Sequence, residues 1–165
     1  MERVIYMGKL YKIQKPKFID DLEEIESIED EIARFEKLQN KMLEDIDINY
    51  LQEGGLTIDS CRFKNVIFNN CSLNNLDLLD TVFENCDLSN VDFSGGSIHR
   101  VEFINCKLLG ARFDECSMKE ILFSKSIGKY INFSFSKLKN VVIDECNFSE
   151  GVFQQVKLDK VIFNE

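Results

Sequence analysis

The chain has 165 residues, enough for one domain with an appendage, and 44% of them are hydrophobic, enough for a core. No run of about 18 apolar residues occurs, which excludes a membrane-spanning helix; Lys9, Lys12 and Lys15 interrupt Met1 to Lys17, so a signal peptide is not expected and the chain is expected to be cytoplasmic. The net charge is −9, with 14 acids against 8 bases before residue 56 and 15 against 12 from there on; no basic face emerges, which argues against direct nucleic-acid binding.

Residues 1–17 read as one strand or a loose hairpin. Val4-Ile5-Tyr6-Met7 and Leu10-Tyr11-x-Ile13 flank Gly8-Lys9, and Pro16 closes the segment. From Phe18 the period changes. Leu22, Ile25, Ile28, Ile32, Phe35, Leu38 and Met42 are spaced by three or four, which predicts an amphipathic helix over 18–45. Asp20 with Glu23 resembles a capping box, and Ser27 with Asp30 offers a second start. Acids crowd the early turns and Arg34, Lys37 and Lys41 come late, as the helix dipole favours. The apolar stripe needs a partner. It either caps the first coil of the repetitive stretch that begins at Leu56 or forms a helix–helix dimer, and the need to cover a terminal repeat favours the cap. Residues 46–55 are expected as a linker that begins the first coil, because Ile46-Asp-Ile48-Asn-Tyr50 fits the later frame and Leu51-Gln-Glu53 does not.

From Leu56 to Glu165 the period is five. Every fifth residue from Ile58 to Phe163 gives 22 positions, and all but Gly128 are large and apolar. The positions two before each centre form a second column of small or aliphatic residues. None of the 27 charges in this stretch falls in either column, which chance alone would produce roughly once in a million. Two residues in five therefore point inward. A five-residue unit cannot bury its own inward pair, so burial must come from units stacked above and below. Asn recurs at the unit ends, at Asn65, Asn70, Asn75, Asn85, Asn90, Asn105 and Asn140, where it suits turn dihedrals.

Units such as Cys71-Ser-Leu73-Asn-Asn75, Cys86-Asp-Leu88-Ser-Asn90, Val91-Asp-Phe93-Ser-Gly95 and Ala111-Arg-Phe113-Asp-Glu115 resemble the pentapeptide-repeat family. The resemblance covers about two thirds of the chain. It implies an all-β solenoid, a right-handed quadrilateral β-helix with four pentapeptides per coil, so that 22 units make about five and a half coils. Some members bind DNA gyrase, mimic duplex DNA and protect against quinolones. This chain departs from them in having a shaft of only −3, Lys119, Lys137, Lys139, Lys157 and Lys160 near one end, and no inserted loop.

Catalytic chemistry is not expected. The six cysteines, Cys61, Cys71, Cys86, Cys106, Cys116 and Cys146, all sit in the small inward column and read as buried free thiols. No C-x-x-C pair suggests zinc, and His99 stands alone at an outward position. No nucleotide or phosphate motif occurs, and no cofactor is expected. Outward apolar residues concentrate towards the C-terminal half: Leu122, Val142 and Ile162 on the second face, with Ile127, Tyr130, Phe135 and Val152 beside them. Such a patch marks a contact surface, a scatter of ordinary surface apolar residues or a region covered by the N-terminal segment. Phe163 ends the centre series, and the last coil is expected to pair with a second copy as a homodimer. The expected function is a rigid, non-enzymatic protein-interaction scaffold. The alternatives are a DNA-mimicking gyrase modulator, and an immunity or regulatory partner of a toxin or enzyme.

Overall fold

A computed structural model describes residues 4–6, 9–11 and 13–164, with the backbone alone for 4–6 and 9–11. Its architecture follows from one conformational repeat. From Asn40 to Lys160 every fifth residue has a positive φ, between 49° and 77°, without a gap. Each is a corner, and four corners close one coil. Eight of them are Asn, the residue that tolerates the left-handed region at least cost after Gly. At Gly95, with φ +71°, a Cβ would stand 2.4 Å from the Asn75 side-chain oxygen of the preceding coil, so this corner needs glycine twice over.

In chain order the elements are β1 (Val4–Tyr6), β2 (Lys9–Tyr11), β3 (Glu23–Glu24), α1 (Ile28–Phe35), β4 (Lys37–Gln39), β5 (Lys41–Glu44), β6 (Asp47–Asn49), β7 (Thr57–Asp59), β8 (Arg62–Lys64) and β9 (Ile67–Asn69). Then come five strands of eight residues: β10 (Asp77–Glu84), β11 (Ser97–Ile104), β12 (Ser117–Ser124), β13 (Lys137–Asp144) and β14 (Lys157–Asn164). β1 and β2 pair antiparallel; every other pairing is parallel. The register along the shaft is fixed at twenty residues, as in Leu78↔Ile98 and Phe83↔Phe103. The long strands bend through a corner and supply two faces. The other two faces are held largely by single bridges such as Lys107↔Ile127 and Arg112↔Asn132.

The protein is thus a parallel β-solenoid of about seven turns. It is longer than five and a half coils because the frame starts before Leu56. β4 pairs with β7, β6 with β9, and Gln52 bridges Ser72, so residues 46–55 lie inside the ladder. Leu38, Leu43 and Ile48 fill centre positions and are buried. The frame is masked there by three charges, Glu36 and Lys41 in the small column and Glu53 in the centre column.

The helix is shorter than 18–45. Ser27 caps it, its hydroxyl accepting the Asp30 N–H at 3.1 Å, and Glu36 ends it at φ 56°. Leu22 and Ile25 precede it beside β3, which pairs with β5, while Leu38 and Met42 already belong to the first coil. The three-and-four spacing ran on because a five-residue frame happened to continue it. Ile28 is wholly buried in the shaft core and Ile25 and Ile32 pack against it, so α1 closes the first coil.

The interior is apolar and largely aromatic. Phe63, Phe83, Phe103 and Phe123 stack along one face at 4.8, 5.1 and 4.8 Å, nearly parallel. A second column, Phe93, Phe113, Phe133 and Phe153, meets it edge-on, as at Phe103–Phe113, 5.7 Å. At Gly128, the break in the centre series, the Phe148 ring occupies the space, 2.9 Å from where a Cβ would stand.

Candidate interaction surfaces

Three surfaces carry chemistry. The first is the corner between the two long-strand faces, where Ser60, Asp80, Arg100, Glu120, Asn140 and Lys160 succeed one another at one-coil intervals. The Arg100 guanidinium donates to both Asp80 oxygens at 2.6 Å, and the Asn140 amide donates to Glu120 Oε1 at 2.6 Å. The remaining acceptor capacity goes to the N-terminal segment. Gln14 N–H donates to Glu120 Oε2 at 2.8 Å, and Lys17 N–H to Asp80 Oδ1 at 2.9 Å. Burial alone would raise the Asp80 carboxyl; Arg100 and the Lys17 N–H outweigh it and hold it below the usual carboxylate value.

That segment changes the character of the second face. Leu122 and Val142, expected as exposed contact residues, are buried in a small cluster with Ile13, and Val82 is buried too. Their outward direction is as expected; the strap formed by residues 13–18 covers them. Ile162, one coil further, is half-buried.

The second surface is the C-terminal end. Ile127, Tyr130, Phe135 and Val152 are 45–54% exposed and occupy successive outward and corner positions of the last two coils. Phe163 is 58% exposed and Leu158 54%, although both are centre residues, because β14 pairs on one side only, with β13. Phe153, Leu158 and Phe163 are the centre residues that the sequence frame puts in the cross-section of the last coil, and all three are exposed there. Tyr130 and Phe135 stand at φ 61° and 62°, where an aromatic side chain costs about 1–2 kcal/mol. Tyr50 does the same at the other end.

The third is a shallow groove of about 430 Å³ along an amide ladder, lined by Asn65, Asn85, Asn105, Ile67 and Ile127 among others. Asn105 donates to Asn85 at 2.6 Å and Asn85 to Asn65 at 3.3 Å, so the amides largely satisfy one another.

His99 is half-buried with the Arg100 guanidinium 3.4 Å from its ring nitrogens; burial, Arg100 and Lys119 lower its pKa. Five cysteines are buried free thiols and Cys146 is half-buried. Burial pushes Cys61 and Cys116 up to about 12, and the neighbouring Cys86 thiol together with burial pushes Cys106 up. Among the described residues no group of three or more His, Cys, Asp or Glu could hold a metal ion, and no helix is long and apolar enough to cross a membrane.

Comparison with known proteins agrees with this geometry. A family model described as a pentapeptide repeat region matches residues 96–165, and one described as the SV2A/B/C luminal domain matches 23–113. The chain belongs to the pentapeptide-repeat family. Among solved structures it is similar to trypsin-treated QnrB1, a plasmid-mediated fluoroquinolone resistance protein: 16% identity over 77% of this chain and 83% of that one, TM-score 0.37. It is also similar to a pentapeptide repeat protein of the cyanobacterium Cyanothece 51142, at 13% identity over 83% and 99%, TM-score 0.32. A third is HetL of the cyanobacterium Nostoc sp. strain PCC 7120, involved in heterocyst differentiation regulation, at 9% identity over 76% and 90%, TM-score 0.19. The family assignment rests on the five-residue repeat and on the family model that matches residues 96–165. No curated protein matches the chain.

Proposed function

We propose that the protein is a rigid, non-enzymatic scaffold for protein–protein contact, and that its contact surface is the C-terminal end. One observation carries this: Ile127, Tyr130, Phe135, Val152, Phe163 and Leu158 are exposed together on the last coils, two of them aromatics at left-handed corners. Asn serves such corners elsewhere at lower cost, so the turn itself does not call for an aromatic at Tyr130 or Phe135. An apolar cross-section beside an unpaired strand edge is a template for another chain. The first occupant is a second copy, through an isologous contact that closes the β14 edge without fibres.

Light scattering at micromolar concentration tests this. The wild type is expected as a dimer, and Phe163→Asp with Ile162→Lys as a monomer. A wild-type monomer, or a dimer indifferent to those changes, overturns it. The gyrase reading implied by the family resemblance ranks second. The QnrB1 likeness favours it, and the repeat's near-balance of 15 acids and 12 bases opposes it. Supercoiling assays with and without a quinolone separate the two, since only the second reading expects protection.

A further inference from the structure

The strap sits in its groove as a ligand sits in a site. Ile13 fills an apolar step made by Leu122 and Val142. The next residue, Gln14, gives its N–H to Glu120, and three residues on Lys17 gives its N–H to Asp80. Phe18 then lies 5.8 Å from the Arg62 guanidinium, ring to cation. The strap therefore runs backwards along the shaft, from the coil of Val142 to the coil of Arg62.

The spacing has a physical basis. Asp80 and Glu120 are two coils apart, roughly 10 Å at a strand spacing of about 4.8 Å. Three residues of chain reach at most about 10 Å, so Gln14 to Lys17 must be nearly extended. Alternate corners of the ladder thus present carboxylates at the pitch of every third amide of an extended chain. Pro16 falls between the two donors, where no N–H is used, and holds Lys15 and itself extended. Both carboxylates are buried and committed to this task, with Arg100 and Asn140 orienting them. No strand pairing joins residues 13–18 to the shaft among the described residues.

We propose that this corner is a docking groove for an extended peptide, occupied in the free protein by the chain's own residues 13–18. Its ligand has an aliphatic residue at the first place, free amides at the second and fifth, and an aromatic at the sixth. A partner segment of that chemistry displaces the strap and takes its place. The groove is distinct from the C-terminal end and does not depend on the contact proposed there.

The test uses the full chain and a fluorescent peptide with the sequence of residues 11–20. Ile13→Asp frees the groove in cis. This variant is expected to bind the peptide about tenfold more tightly than the wild type, whose groove is filled. Adding Leu122→Asp, or Glu120→Gln, to that variant is expected to reverse the gain, and a scrambled peptide is expected not to bind. Leu122 and Glu120 point out of the shaft core, and a thermal melt checks that each variant folds; Glu120→Gln decides should Leu122→Asp fail to fold. Equal affinity for wild type and Ile13→Asp overturns the proposal. So does absence of binding to Ile13→Asp, binding indifferent to Glu120→Gln, or equal binding of the scrambled peptide.

Discussion

The two ends of the solenoid are built from the same frame and have opposite fates. At the N-terminal end Leu38, Leu43 and Ile48 occupy centre positions and are buried; at the C-terminal end Leu158 and Phe163 occupy the same positions and are more than half exposed. What differs is the cover. α1 lays Ile28 on the first coil, and Lys41, in a column closed to charge from Leu56 onwards, meets Glu31 at 2.8 Å and Glu23 at 2.5 Å. Hydrogen bonds to Glu23 and then Glu31 raise the Lys41 pKa. A repeat thus fixes where a side chain points, and its neighbours decide whether it is buried.

The largest contrast is a pair of truncations. Phe103→Ala, mid-shaft, is expected to cost about 3–5 kcal/mol, and Phe163→Ala about 1 kcal/mol or less in a dilute sample, by denaturant midpoint. Equal costs would mean the C-terminal end is covered after all. Next, Lys41→Ala makes the closed end resemble the open one. It leaves Glu31, itself buried, without its cation, and is expected to cost about 2 kcal/mol, less than a fully buried pair because Glu23 is exposed. A loss below a few tenths would show that α1 alone forms the cover.

Asp80→Asn loosens the strap and is expected to cost about 1 kcal/mol at neutral pH. Because the folded carboxyl is held below its ordinary value of 3.8, its contribution is complete above that value and fades as the pH falls through the folded one. The acid limb of wild-type stability should therefore shrink in the variant; superimposable acid limbs would count against the strap contact. The smallest effect is a rate. Cys146 is half-buried near the open end, so a thiol reagent should modify it first in the native protein and the other five only on unfolding. Early labelling of Cys61, next to the cap, would reverse the ranking of the two ends.

The shaft was legible because charge exclusion and the five-residue step both survive from Leu56 onwards without interruption. The first coil was not, since Glu36, Lys41 and Glu53 violate the columns, and only the paired carboxylates on α1 and β3 show why Lys41 is tolerated. The helix was overextended for a related reason: Leu38 and Met42 continue a helical spacing by coincidence while belonging to strands. Towards the C-terminal end, Ile127, Tyr130, Phe135 and Val152 stand exposed where their outward places put them. Leu122 and Val142 do not, because covering them depends on Ile13, more than a hundred residues away, and no local pattern encodes that contact.

That long-range contact also sets an order of events. Synthesis from the N-terminal side produces the cap before the shaft and adds coils onto a closed base, each new strand pairing with one already in place twenty residues earlier. The strap, though it emerges before any coil, has no complete seat until Val142 has been laid down. Ile13 must wait while coil after coil is added, and its docking then acts as a latch that closes only on a shaft already grown as far as β13.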